Sequence, residues 1–240
     1  MPRVLREADA DGSLLSGSIV GVFGFGNQGE AQALCLRDSG LAVRVFVRPG
    51  ASDARARRAG FDPSPAEELS VCDVVAVLVP DEAQREVLEQ VVAPRAKAAA
   101  LLVFAHGFAL REERPEVRPD LDVALVGPLG PGTLLRERFL DGRGLPGLLA
   151  VVQDATGGAE RRALAYAAAL RTTRAGLLVT TLDEEVVSDL FAEQVVLTGG
   201  AIELMRAAWE TLVAGGVSEE IAYYTCVHEL RQILDLVVRE

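Results

Sequence analysis

At about 150 residues per domain, 240 residues make one full domain and a smaller companion. Twenty-four lysines and arginines against 35 acids leave a net charge of -11, which argues against nucleic acid, because a phosphate backbone is gripped by clustered cations. Half the residues are apolar, yet charges interrupt every run before the eighteen or so residues of a bilayer span, so no membrane partner is expected. The first eleven residues carry acids and no apolar stretch of the kind that precedes secretion, and a cytoplasmic location is the expectation. A polar start gives way to an apolar strand over 18–23, a glycine-rich turn and a helix over 30–38 with helical apolar spacing. Further strands are predicted over 43–47, 74–79, 100–104 and 123–126, with helices between them. Two late strands, 148–152 and 175–179, flank a helix at about 159–170 and extend the same sheet. Near-continuous apolar strands alternating with helices are what a parallel sheet covered on both faces requires. The fold class expected is therefore α/β, a Rossmann-type, doubly wound, mostly parallel sheet over 1–181. From 182 to 240 the pattern is helix only: one helix to about 213, a break at Gly215–Gly216, and a second helix opened by Ser218 as its N-cap. Cys35, Cys72 and Cys226 form no CxxC pair and read as core thiols of a reducing compartment.

Gly24-Phe25-Gly26-Asn27-Gln28-Gly29 spells GxGxxG, a string that means little alone. Its position after a strand and before a helix gives it force. Gly24 can make the tight turn, Gly26 can admit a pyrophosphate, Gly29 lets the helix approach the sheet, and the helix N-terminus turns its positive end to the phosphates. A ribose-binding acid is expected about 20 residues further on, but no carboxylate stands there before Asp53. Arg48 and Ser52 stand there instead. A guanidinium grips a 2'-phosphate and a hydroxyl adds a bond, which favours NADPH; the alternative is that Arg48 merely solvates a loop.

The stretch from Gly24 to Gly40 resembles the N-terminal domain of ketol-acid reductoisomerases. Others in order are similar to the same family: Asp73 to Gln84 with its Pro80-Asp81-Glu82, Phe104-Ala105-His106-Gly107-Phe108, Asp189 to Gln194, and Tyr223 to Leu230. The resemblance spans about 15–238 and implies a small-molecule substrate and two coupled steps. These are a magnesium-assisted alkyl migration in a 2-acetohydroxy acid and NADPH reduction of the resulting 2-keto acid. It implies cofactor contacts from the glycine turn and Pro80, and catalytic or metal-ligating roles for Asp189, Glu193 and Glu229. Asp189 and Glu193, four apart on one helix, present both carboxylates to one side, and Glu185 extends that stripe by a turn. His106, after an apolar strand at the ligand-binding edge, either lines the nicotinamide pocket or is a loop histidine bonded to backbone. His228 reads as a satisfied helix residue, and Trp209, Tyr223 and Tyr224 as helix packing.

Three departures from the family pattern bear on function. Thr225 stands where the resemblance implies a glutamate ligand, Leu129 where it implies a lysine, and Thr133 where histidine is usual. The chain also stops eleven residues after Glu229, where the family continues through further helices. Three readings follow: an NADPH-dependent reductase of a carbonyl or imine with migration impaired, which is preferred; a full ketol-acid reductoisomerase; and a non-catalytic NADPH-binding protein. The apolar stripe of the last helices, including Leu190, Val195, Ile202, Met205, Leu212, Ile221, Leu230, Ile233 and Leu236, predicts a homodimer.

Overall fold

A computed structural model describes residues 3–239, which divide into two compact units, the first running to Val186 and the second from Val187. The first unit is built on an eight-stranded sheet. Its strands are β1 Val4–Leu5, β2 Ile19–Phe23, β3 Ala42–Phe46, β4 Val74–Val77, β5 Leu101–Phe104, β6 Asp122–Pro128, β7 Gly147–Gln153 and β8 Leu177–Val179. They lie in the order β1-β8-β7-β6-β5-β4-β2-β3. β3, β2, β4, β5 and β6 pair in parallel, each crossing over through a helix or longer loop. Successive strand residues serve opposite faces: Val74 and Ala76 join one buried cluster with Val20, Val22, Leu101 and Val103, while Val75 and Val77 join another with Leu102 and Phe104. A sheet buried on both sides needs apolar residues at every position, which is why these runs are continuous.

The later strands depart from the parallel pattern. β7 runs antiparallel to β6, with Pro128 opposite Gly147. Helix Gly132–Leu140 starts at the carboxyl end of β6, and the turn after it uses Gly142 and Gly144 at φ of 75° and 74° to bring the chain back to that same end. The connection is thus a helical excursion from one edge and back to it, not a crossover. β1, which lies in the stretch expected to be only polar, pairs antiparallel with β8. Its two residues are too few to show a period; Arg6 fastens them by donating to the carbonyl of Ala175.

The second unit is helical. Helix Leu182–Phe191, whose residues to Val186 belong to the first unit, widens into a π-type segment, Ala192–Leu197, and ends at Thr198, whose backbone N–H and hydroxyl both donate to the carbonyl of Glu193. A separate helix, Gly200–Ala214, follows, so the single helix expected to about 213 is two, broken at Gly199–Gly200 where paired glycines cannot hold a continuous turn against Thr198's caps. Ser218 caps the next helix as expected, accepting from the N–H of Ile221. That helix, Glu219–Tyr223, passes through a second π-type segment, Tyr224–His228, into Glu229–Arg239. Cys35 and Cys72 are core thiols, both pushed up to about 11 by burial, but Cys226 is only half-buried. Tyr223 and Tyr224 are exposed and pack on each other edge to face, and the half-buried Trp209 donates its indole N–H to the carbonyl of Glu219. The sequence predicts helix packing for both tyrosines; in the structure they meet each other, and Tyr224 meets His228, while staying exposed. Among the described residues no helix is long and apolar enough to cross a membrane.

Candidate active site

The sheet order places β2 between β4 and β3, so the chain leaves β2 in one direction and returns on its other side. A crevice opens at such a reversal, outside the carboxyl ends of the strands. Gly24 stands at that point with φ of 101°, its N–H donating to the carbonyl of Phe46. A Cβ on Gly24 would lie 2.7 Å from the carbonyl oxygen of Leu78, and one on Gly29 would lie 2.2 Å from that of Gly24. Both glycines are required by packing. Gly26 differs, for a Cβ there meets nothing within 4 Å. It caps helix Asn27–Asp38, whose first N–H groups have no partner within the helix and face the space that Gly26 leaves open.

The side chains of this turn have separate duties. Phe25, expected among the cofactor contacts, is buried against Phe61 with ring centres 5.7 Å apart, so only its backbone faces the turn. Asn27 accepts from the N–H of Gly132 through Oδ1, and Gln28 donates through Nε2 to the carbonyl of Gly130 at 3.0 Å. Both side chains therefore tie the turn to the loop after β6, where Leu129 is exposed. Arg48 follows β3 and is exposed, with no ion pair among the described residues. Ser52 is half-buried in the first turn of helix Ala51–Arg58. The one nearby acid, Asp53, is held by Arg57 at 3.2 Å.

At the ends of β4 and β5 the polar groups converge. Pro80 is exposed and precedes helix Asp81–Val87; Gln84, on its first turn, donates to the carbonyl of Val79 at 3.2 Å and to Asp81 at 2.8 Å. Burial raises the Asp81 carboxyl above its ordinary range; the nearby His106 opposes this, while Glu82 and Glu185 add to it. The Nδ1 of His106 lies 2.9 Å from Oε1 of Glu185. The second oxygen of Glu185 accepts from the N–H of Gly107 at 3.1 Å, which fixes the carboxylate beside Nδ1, where an Nδ1–H tautomer would donate to it and be held in orientation. Glu185 is buried, and its role is the one the sequence reading missed, although its place one turn before Asp189 was visible.

The carboxylates of the second unit are described on their own helices. Asp189 is half-buried near the end of Leu182–Phe191, Glu193 is exposed in the π-type segment that follows, and Glu229 is exposed at the start of Glu229–Arg239. Thr225 donates its hydroxyl to the carbonyls of Ile221 at 2.9 Å and Ala222 at 3.2 Å. A wider helical turn at functional positions is a recurrent device, and both segments expected to carry metal ligands contain one.

Residues 14–176 match the family model described as acetohydroxy acid isomeroreductase, NADPH-binding domain, and residues 182–240 match ketol-acid reductoisomerase, C-terminal domain. The chain is similar to the solved structure of an NADH-preferring ketol-acid reductoisomerase from an uncultured archean, with 41% identity and a TM-score of 0.93, over 99% of this chain and 74% of that one. In fold alone it is similar to a semialdehyde dehydrogenase NAD-binding protein from Cupriavidus necator, at 19% identity and a TM-score of 0.73 over 92% of this chain and 84% of that one. A Streptomyces aurantiacus imine reductase shares the fold at 18% identity and a TM-score of 0.59, over 92% of this chain and 77% of that one.

Proposed function

The chain belongs to the ketol-acid reductoisomerase family and is a pyridine-nucleotide-dependent oxidoreductase, and from that premise we propose that it reduces the carbonyl or imine of a small acid with NADPH, without efficient alkyl migration. The observation that carries this reading is Thr225. Its hydroxyl is committed to two backbone carbonyls of its own helix, and a neutral oxygen so engaged brings no charge to a divalent cation. Asp189, Glu193 and Glu229 remain as hard oxygen donors and in this reading would hold one magnesium ion. When bound, that ion supplies Lewis acidity to a substrate oxygen. Leu129 brings an apolar side chain where the family resemblance implies a cation. The test is turnover of 2-acetolactate compared with its migrated 3-hydroxy-2-keto isomer.

Reduction makes fewer demands. The nicotinamide must lie against an electrophilic carbon, and the glycine turn and the strand ends hold it there. Hydride addition to a carbonyl leaves an alkoxide that takes up a proton. His106, oriented by Glu185 through Nδ1, can give that proton from Nε2 as the imidazolium, becoming neutral as the alkoxide becomes an alcohol.

NADPH is preferred over NADH in this reading because Arg48 has no ion pair among the described residues and Asp53 is held by Arg57. A charge-assisted contact to the 2'-phosphate is worth about 1.5–3 kcal/mol, so NADPH should bind about tenfold more tightly or better. The archaeal relative at 41% identity prefers NADH, which makes the measurement decisive for this chain. Fluorescence titration of both cofactors tests it, with Arg48→Asp expected to reverse the order. Equal or tighter binding of NADH by the unaltered protein would refute the assignment.

The same reading includes a homodimer formed through the second unit. Among that unit's described residues only Ala222 is buried, while Phe191, Leu204, Ile221, Ile233 and Leu236 are exposed. Helices with no core of their own must cover such surface with another chain. Sedimentation at micromolar concentration is expected to show a dimer, and Ile233→Glu combined with Leu236→Glu a monomer. A monomer before mutation rules the assembly out.

A further inference from the structure

Gln28 and Gln32 lie one turn apart on helix Asn27–Asp38 and belong to a single chain of hydrogen bonds, buried at its Tyr166 end and partly buried at Gln28. The fully buried Tyr166 donates its hydroxyl to Oε1 of Gln32 at 2.6 Å; Nε2 of Gln32 donates to Oε1 of Gln28 at 3.1 Å; and Nε2 of Gln28 donates to the carbonyl of Gly130 at 3.0 Å. The direction of this chain is forced from one end. A carbonyl only accepts, so Gln28 must turn its nitrogen to Gly130 and its oxygen to Gln32, Gln32 must repeat that orientation, and the phenol must donate. Burial raises the Tyr166 phenol above its ordinary pKa and keeps that proton on the oxygen. A second tie, from the N–H of Gly132 to Asn27, fastens the other side of the same loop. A wholly buried glutamine is costly in a core unless both ends of its amide are satisfied, and here each is satisfied by one partner in line.

We propose that Tyr166, Gln32 and Gln28 form a positioning relay that holds the Leu129–Gly130 loop against the dinucleotide-binding turn. A tyrosine three hydrogen bonds away thereby sets where Leu129 stands relative to the cofactor. None of the three is a catalytic residue. The proposal rests on the reading of this sheet edge as the site of reduction.

The test combines amide exchange and steady-state kinetics on the full chain loaded with NADPH, for Tyr166→Phe, Gln28→Ala and the double variant. Loss of one such bond weakens the tie by about tenfold, so Tyr166→Phe should speed exchange at Leu129, Gly130 and Gly132 by about that factor and leave the middle of helix Asn27–Asp38 protected. It should lower kcat for reduction several-fold with NADPH affinity little changed. The double variant should match Gln28→Ala alone, because the relay is already cut. Gln32→Met, which keeps the volume and removes the amide, repeats the measurement if Tyr166→Phe does not fold. Unchanged loop exchange in Tyr166→Phe, or additive effects in the double variant, overturns the relay. Exchange is read without turnover, so a relay seen in exchange alongside no reduction of any carbonyl or imine overturns the functional reading and not the relay.

Discussion

Gly26→Ala is expected to leave the protein folded and to weaken NADPH binding by about a hundredfold or more, whereas Gly29→Ala is expected to damage the fold itself. The two glycines sit three residues apart, Gly26 as the N-cap and Gly29 in the first turn of one helix, and ordinary helix propensity would predict that alanine helps at Gly29 by up to about 1 kcal/mol. The surroundings reverse that expectation at Gly29, where the new Cβ falls 2.2 Å from the carbonyl oxygen of Gly24 and the turn has to open. Overpacking of this kind costs about 1–3 kcal/mol, so the melting temperature should fall by several degrees. At Gly26 no protein atom lies within 4 Å of the added methyl, and stability should hold. What the methyl occupies is the space before the helix N-terminus, where the pyrophosphate approaches the unpaired N–H groups. Thermal melts and fluorescence titration of the two variants separate the effects. Wild-type affinity for NADPH in Gly26→Ala would sink this placement of the cofactor.

Two substrates separate reduction from migration. The 3-hydroxy-2-keto isomer needs only hydride and a proton, and 2-acetolactate needs migration first. Removing one group that stabilises developing charge costs about two to three orders of magnitude in rate, and on the proposed reading Thr225 and Leu129 stand where the family resemblance implies a carboxylate and a cation. The isomer should therefore be turned over about a hundredfold faster than acetolactate, or better still. Thr225→Glu combined with Leu129→Lys should raise the acetolactate rate and leave the isomer's little changed. Magnesium-dependent turnover of acetolactate at a rate close to that of the isomer would restore the full reductoisomerase.

Much of this was legible without coordinates. The apolar runs gave the strands because a doubly covered sheet demands apolar residues at consecutive positions, and the glycine string gave the turn because each glycine answers a local demand on backbone space. Phe25 shows the limit of that logic. Its neighbours in the motif touch the turn, but a large apolar side chain next to Phe61 is drawn into the core. The reversal of β7 was equally hidden, since a helix between two strands normally signals a crossover, and only the glycines after Leu140 turn the chain back.

Local sequence alone determined the strand–turn–helix that receives a dinucleotide and the absence of an acid from Val43 to Ser52. Each is a property of residue type at a short spacing. Tertiary structure decided which polar groups meet. His106 finds Glu185 across 79 residues of sequence, and Tyr166 finds Gln32 across 134. Such pairs leave no periodic trace, because hydrogen-bond partners are chosen by which strand ends and helix faces the sheet order brings within 3 Å, and that order is a property of the whole fold.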